Sequence, residues 1–151
     1  MGVHKMSAVV LAAAIAVAAF GIPAAGAEKR PTVKAKLLEF KIKPKPKTTT
    51  AGKVRVVAKN IGSEKHELVV VKAANAAVLP TMADGSVNEA AIAETDKFGE
   101  IGEFKAKKTK HKTFNLDPGT YVLFCNLVDQ ESDGSTLSHF KQGMYTTLVV
   151  R

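Results

Sequence analysis

The ten residues Asp117-Pro118-Gly119-Thr120-Tyr121-Val122-Leu123-Phe124-Cys125-Asn126 decide the fold. Asp117-Pro118-Gly119 is a turn signal. The four residues 121–124 that follow are apolar without alternation, the pattern of a strand covered on both faces inside a sandwich. Working outward, residues 68–71 and 145–150 are likewise apolar or Thr-rich on both faces. Residues 33–37 and 53–58 instead alternate apolar and basic side chains, as half-exposed strands do. Asn60-Ile61-Gly62-Ser63 and Asp133-Gly134-Ser135 supply further turns. Short strands parted by such turns predict an all-β fold, an antiparallel β-sandwich. One segment departs from the pattern. Ser86-Val87-Asn88-Glu89 has the form of a capping box, and the Ala-rich run to Glu94 predicts a short helix of two or three turns in a long connection over 73–103. Pro44 and Pro46 confine the Lys-rich stretch 41–47 to a sheet edge or loop.

The chain has 151 residues, 46% of them hydrophobic, which suits one globular domain and argues against disorder. At the amino terminus, Lys5 precedes an apolar run of small residues over 8–20, broken by Gly21-Ile22-Pro23 before Ala25-Gly26-Ala27. This reads as a secretory signal peptide, 1–27. The run is shorter than the ~18 to 20 residues a spanning helix needs, so no stable membrane insertion is expected after cleavage. The mature domain is then 28–151, in the periplasm or outside the cell. Loss of Lys5 lowers the formal net charge from +8 to +7. Export makes nucleic acid an improbable partner for that charge, and the absence of Trp with only 6% aromatics weakens a base-stacking platform.

The chain has one cysteine, Cys125. A single thiol excludes an internal disulfide and a four-cysteine zinc or iron–sulfur site. In an oxidising compartment it would be a liability unless buried or bound to something. Of the four histidines, His4 leaves with the signal peptide and His111 lies among Lys107, Lys108, Lys110 and Lys112, where positive charge disfavours a cation. Of the four methionines, Met1 and Met6 leave and Met82 falls in the long connection. His66, Cys125, His139 and Met144 remain. Four residues separate His139 from Met144 and thirteen separate Cys125 from His139. Two imidazoles and a thiolate with a weak, long thioether form the ligand set of a blue-copper electron-transfer site. Taken singly, Cys125 and Met144 also suit a buried core and His66 a strand end.

The stretches Asn60-Ile61-Gly62-Ser63-Glu64-Lys65-His66-Glu67-Leu68-Val69-Val70, Pro118 through Asn126, and His139-Phe140-Lys141-Gln142-Gly143-Met144-Tyr145 resemble the cupredoxins, the small blue copper proteins of the plastocyanin, azurin and sulfocyanin kind. The resemblance covers essentially the whole mature chain. It implies a Greek-key β-sandwich holding one type 1 copper, with His66, Cys125 and His139 as equatorial ligands and Met144 as the axial one. It also implies an exported, monomeric carrier of single electrons between redox partner proteins, not an enzyme. A copper-buffering or copper-delivery protein of the same fold is the alternative.

Two departures from the family pattern stand out. The interval 126–138 is long and carries Asp129, Glu131 and Asp133, and Glu67 stands where several family members have Asn. Strand alternation sends Glu67 to the face opposite His66. The edge of His139 is the expected electron port, rimmed by Phe140 and the acidic interval, with Asn126 holding the site by hydrogen bonds. The lysines of 41–47 and 105–112 read first as solvated strand edges that discourage edge pairing. Their functional use would be docking to acidic redox partners or an anionic cell envelope. A thiol enzyme with Cys125 as nucleophile and His66 or His139 as base is disfavoured, because no oxyanion motif accompanies it.

Overall fold

Alternation in the first strand buries Val33, Ala35 and Leu37 and turns Lys34 and Lys36 to solvent. The computed structural model describes residues 30–151 and Met1; the expected signal peptide otherwise lies outside the described residues. The strands are β1 (Thr32–Leu38), β2 (Lys41–Lys45), β3 (Thr48–Thr49), β4 (Gly52–Asn60), β5 (His66–Lys72), β6 (Lys97–Phe104), β7 (Thr109–Leu116), β8 (Gly119–Phe124), β9 (Val128–Gln130), β10 (Thr136–Ser138) and β11 (Tyr145–Val150). One sheet has the order β2-β1-β4-β7 and a second β3-β11-β8-β5-β6, while β9 and β10 form a separate hairpin. Most pairs are antiparallel, as the sequence predicts. The β1–β4 and β3–β11 pairs are parallel, because the chain switches sheets between β2 and β3 and returns in β4.

The main core lies between the sheets and includes Val33, Leu37, Val54, Val56, Leu68, Tyr121, Leu123 and Leu148. A second apolar cluster joins Val69, Val71, Val122 and Phe124 to Leu79, Val87 and Phe140. The even-numbered side chains of β8 thus face the connection between β5 and β6, which lies over the outer face of the second sheet. That cover is why β5 and β8 are apolar on both faces. Among the described residues no helix is long and apolar enough to cross a membrane.

Two expectations need correction here. The connection ends at Asp96, and 97–103, expected to belong to it, forms with Phe104 the edge strand β6. Its apolar residues Phe98, Ile101 and Phe104 recur every third position because the register shifts against β5, with Leu68 opposite Ile101 and His66 opposite Phe104. The extra residue of that bulge conceals the two-residue period. The helix of two or three turns is also absent; single 3-10 turns stand at Glu89–Ala91 and Glu94–Asp96, with another at Ala76–Val78. The capping box does not close because its partners are engaged elsewhere. Ser86 Oγ donates to Asp84 Oδ1 (2.6 Å), and Glu89 Oε1 accepts from Asn126 Nδ2 (2.8 Å). Docking on the sheet overrides local propensity. As expected for the Lys-rich stretches, β2 and β7 are the outermost strands of the first sheet.

Candidate metal centre

The loop before β5 is built by Asn60, whose buried amide donates to the Glu64 carbonyl (2.7 Å) and accepts from Gly62 N–H (3.0 Å). Glu39, in the β1–β2 turn, accepts from the N–H groups of Ser63 (2.7 Å) and Glu64 (2.8 Å) through Oε1. A side chain at residue 62 would push this carboxylate off its two N–H donors, so Gly62 leaves room for the Glu39 contact. These contacts deliver His66, fully buried, to the first position of β5. Cys125 follows the end of β8, and its N–H donates to the Met144 carbonyl (3.1 Å). The turn 139–144 closes when Met144 N–H donates to the His139 carbonyl (3.0 Å), with Gly143 at φ +92° supplying a backbone conformation that a side chain would oppose.

The structure brings His66, Cys125 and His139 together, all buried, with one donor atom from each lying within 4.8 Å of the others. His66 Nδ1 and His139 Nδ1 are 3.3 Å apart, and Cys125 Sγ is 3.3 Å from His139 Nδ1. Such separations suit one ion bonded to each nitrogen at about 2 Å. Met144 is fully buried in the same core cluster as Cys125 and is joined to both Cys125 and His139 through its backbone. His111 lies on β7 opposite Val57, exposed and apart from this cluster, and Met82 is exposed in the connection.

Each imidazole has a carboxylate behind it that the sequence does not single out. Asp129 Oδ2, on β9, lies 2.9 Å from His139 Nε2. A carboxylate only accepts, so His139 donates from Nε2, which leaves Nδ1 as the ring nitrogen that faces His66 and Cys125. Glu39 Oε1 lies 3.3 Å from His66 Nε2 but out of hydrogen-bond alignment, so this buried nitrogen has no hydrogen-bond partner among the described residues. Burial raises the Glu39 carboxyl, but the N–H groups of Glu64, Glu39 and Ser63 and the His66 ring outweigh it and bring it down to about 2. Burial and the neighbouring His139 lower the pKa of His66. The lowered pKa of His66 favours the neutral imidazole that a metal ion requires of a ligand.

The thiol is held differently. Burial pushes Cys125 up to about 12, although the N–H groups of Glu67 and Leu127 favour the thiolate. Glu67 N–H lies 3.5 Å from Cys125 Sγ. The Glu67 side chain turns the other way, and its Oε1 accepts from Asn126 N–H (3.0 Å), so its carboxylate ties β5 to the residue after Cys125. Asn126 fastens the connection as well, accepting from Val87 N–H (2.7 Å) and donating to the Val87 carbonyl (3.0 Å).

The expected exposed edge of His139 is not found. His139 is fully buried, with Phe40 edge-on at 4.9 Å between ring centroids and Asp129 over Nε2. From the acidic interval Asp129 lies against the ring, and His139 N–H donates to the Leu127 carbonyl (2.9 Å) as the rung that closes the base of the β9–β10 hairpin. Asp129 was visible in the sequence only as one acid of that interval. No sequence signal marks Glu39.

A two-sheet β-sandwich with two imidazoles and one thiol converging where the loops meet is the architecture of the cupredoxins, and the chain has that fold. It is similar to dithionite-reduced auracyanin from the photosynthetic bacterium Roseiflexus castenholzii, at 21% identity over 80% of this chain and 96% of that one, with a TM-score of 0.56. Reduced rusticyanin aligns at 17% identity over 80% of this chain and 78% of that one, TM-score 0.53. Auracyanin A from Chloroflexus aurantiacus, described as a "blue" copper protein, aligns at 18% identity over 82% of this chain and all of that one, TM-score 0.50. No family model and no curated protein matches the chain by sequence.

Proposed function

We propose that the protein is an exported blue copper protein that carries single electrons between redox partners. One observation carries the reading: two imidazole Nδ1 atoms and one thiol, all buried, converge within 3.3 Å contacts on a rigid β framework. Copper bound there would supply a one-electron Cu(II)/Cu(I) couple. His66, Cys125 and His139 would hold it, and the buried Met144 would supply a weak thioether donor. Cys125 must give up its Sγ proton for this, and burial makes the bare thiolate costly without a metal, so copper uptake is coupled to proton release. Asp129 fixes the tautomer of His139, and Phe40 packs edge-on against the ring. Export rests on the run at 8–20.

The test is absorption and electron paramagnetic resonance spectroscopy after stoichiometric copper(II) addition. An intense blue or green thiolate charge-transfer band that bleaches reversibly on reduction is expected. Colourless binding of Cu(I) alone would overturn electron transfer in favour of copper buffering or delivery.

A further inference from the structure

The outer face of the first sheet is a ladder of cations. Lys34 on β1 stands opposite Lys45 on β2, and Lys36 stands between Lys43 on β2 and Lys59 on β4. All five are exposed. Lys41, Lys53 and Arg55 extend the same face, again exposed on alternate positions of their strands. The chain has 14 Asp and Glu residues, yet none of those described lies on the strand positions of this face. The ion pairs of the described residues involve Lys65, Lys97, His66 and His139, none of them on it.

Edge protection explains only part of this. It accounts for the lysines of β2, but β1 and β4 are interior strands of the sheet and have no free edge to guard. Like charges directly across strands destabilise a sheet, and an ordinary solvated face intersperses both signs. With strands about 4.8 Å apart and same-face residues about 7 Å apart along each, the array is dense. A dense cationic array spread over one sheet face is complementary to an extended anionic surface.

The composition of the face selects among anionic surfaces. Protein interfaces enrich aromatic residues and Arg and deplete Lys. Here the charge is nearly all Lys, whose ammonium is a hydrated point charge without the fork that recognises carboxylates, and no Phe, Tyr or Trp is on the strand positions of the face. Adsorption to anionic lipid headgroups requires only point charges brought near the surface.

We propose that the outer face of β2-β1-β4-β7 is a docking surface for an anionic lipid bilayer, on which the sandwich lies flat without inserting. The metal pole, at the ends of the strands, then points along the membrane plane and stays open to a partner on the same surface. The docking itself does not depend on the metal reading.

The experiment is flotation of the exported protein with vesicles of about one third phosphatidylglycerol in phosphatidylcholine, and with phosphatidylcholine alone. Binding to the anionic vesicles at about 0.05 M salt and release at about 0.5 M are expected, with none to the neutral vesicles. The triple variant Lys34→Gln, Lys36→Gln, Lys59→Gln should bind the anionic vesicles roughly 100-fold more weakly. Lys72→Gln, Lys97→Gln, Lys141→Gln, which removes the same charge elsewhere, should bind within about threefold of the parent. Lys41→Gln, Lys43→Gln, Lys45→Gln on the edge strand gives a second test should the first variant fail to melt cooperatively. Equal losses in the face and control variants would show a net-charge effect and overturn the proposal. So would equal binding to both vesicle types, or capture of soluble poly-glutamate with no vesicle binding, which would assign the face to an acidic protein.

Discussion

Glu67→Gln should remove a pH-dependent instability from the copper-free protein. Glu67 is partly buried beside His66. Burial raises its carboxyl, the Asn126 N–H opposes that, and Glu100, Glu89 and Glu103 add to it, leaving the group moved from 4.5 up to about 7. Below 4.5 the carboxyl is protonated in both the folded and the unfolded chain. Between 4.5 and about 7 the unfolded chain has released the proton and the folded chain still holds it, so rising pH favours unfolding. Above that window both forms are ionised and the loss saturates. At about 1.4 kcal/mol per pH unit the window amounts to roughly 3 kcal/mol, and partial contact with solvent reduces this to about 2 kcal/mol. The amide of the variant does not titrate, and its oxygen can still accept from Asn126 N–H. Guanidinium unfolding of both proteins across the pH range measures the difference, in which the other titrating groups cancel. The variant should match the parent near pH 4.5 and exceed it by about 2 kcal/mol near pH 8. A difference that stays flat with pH would refute the burial argument for Glu67.

Four further outcomes are expected. Cys125→Ser should abolish the visible band while the protein still melts cooperatively; a retained spectrum would remove Cys125 from the centre. Met144→Leu should raise the reduction potential with copper still bound, measured by redox titration, because the thioether donates to Cu(II). Asp129→Asn should keep the colour but also raise the potential, since a negative charge 2.9 Å from His139 Nε2 favours the more positive ion; an unchanged potential would reduce Asp129 to packing. Asn126→Ala breaks two hydrogen bonds to Val87 and one to Glu89. It should cost about 3 kcal/mol, read as a melting temperature lower by roughly 10 °C or more.

Much of the framework was legible along the chain. In β1 and β4 the alternation of apolar and basic residues maps directly onto inside and outside, because each has one face on the core. β8 was legible for the opposite reason, being covered on both faces. β6 was not, since a bulge changes the spacing of Phe98, Ile101 and Phe104. Nor was the absence of a helix, because Ser86 and Glu89 have the right spacing and only Asp84 and Asn126 divert them.

The same division runs through the site. Chemistry alone narrows the soft and imidazole donors to His66, Cys125, His139 and Met144, because a short chain with one thiol offers few ways to hold a transition metal. Strand alternation also sends Glu67 away from His66. Only the tertiary structure places Glu39 and Asp129 behind the two imidazoles, since carboxylates are many and nothing local ranks them. Only the tertiary structure buries His139, with Phe40 and Asp129 against its ring. The lysines follow suit: each reads as an ordinary surface residue in its own strand. Strand order and register, which are non-local, align Lys45 with Lys34 and Lys43 with Lys36 and Lys59 into one charged face.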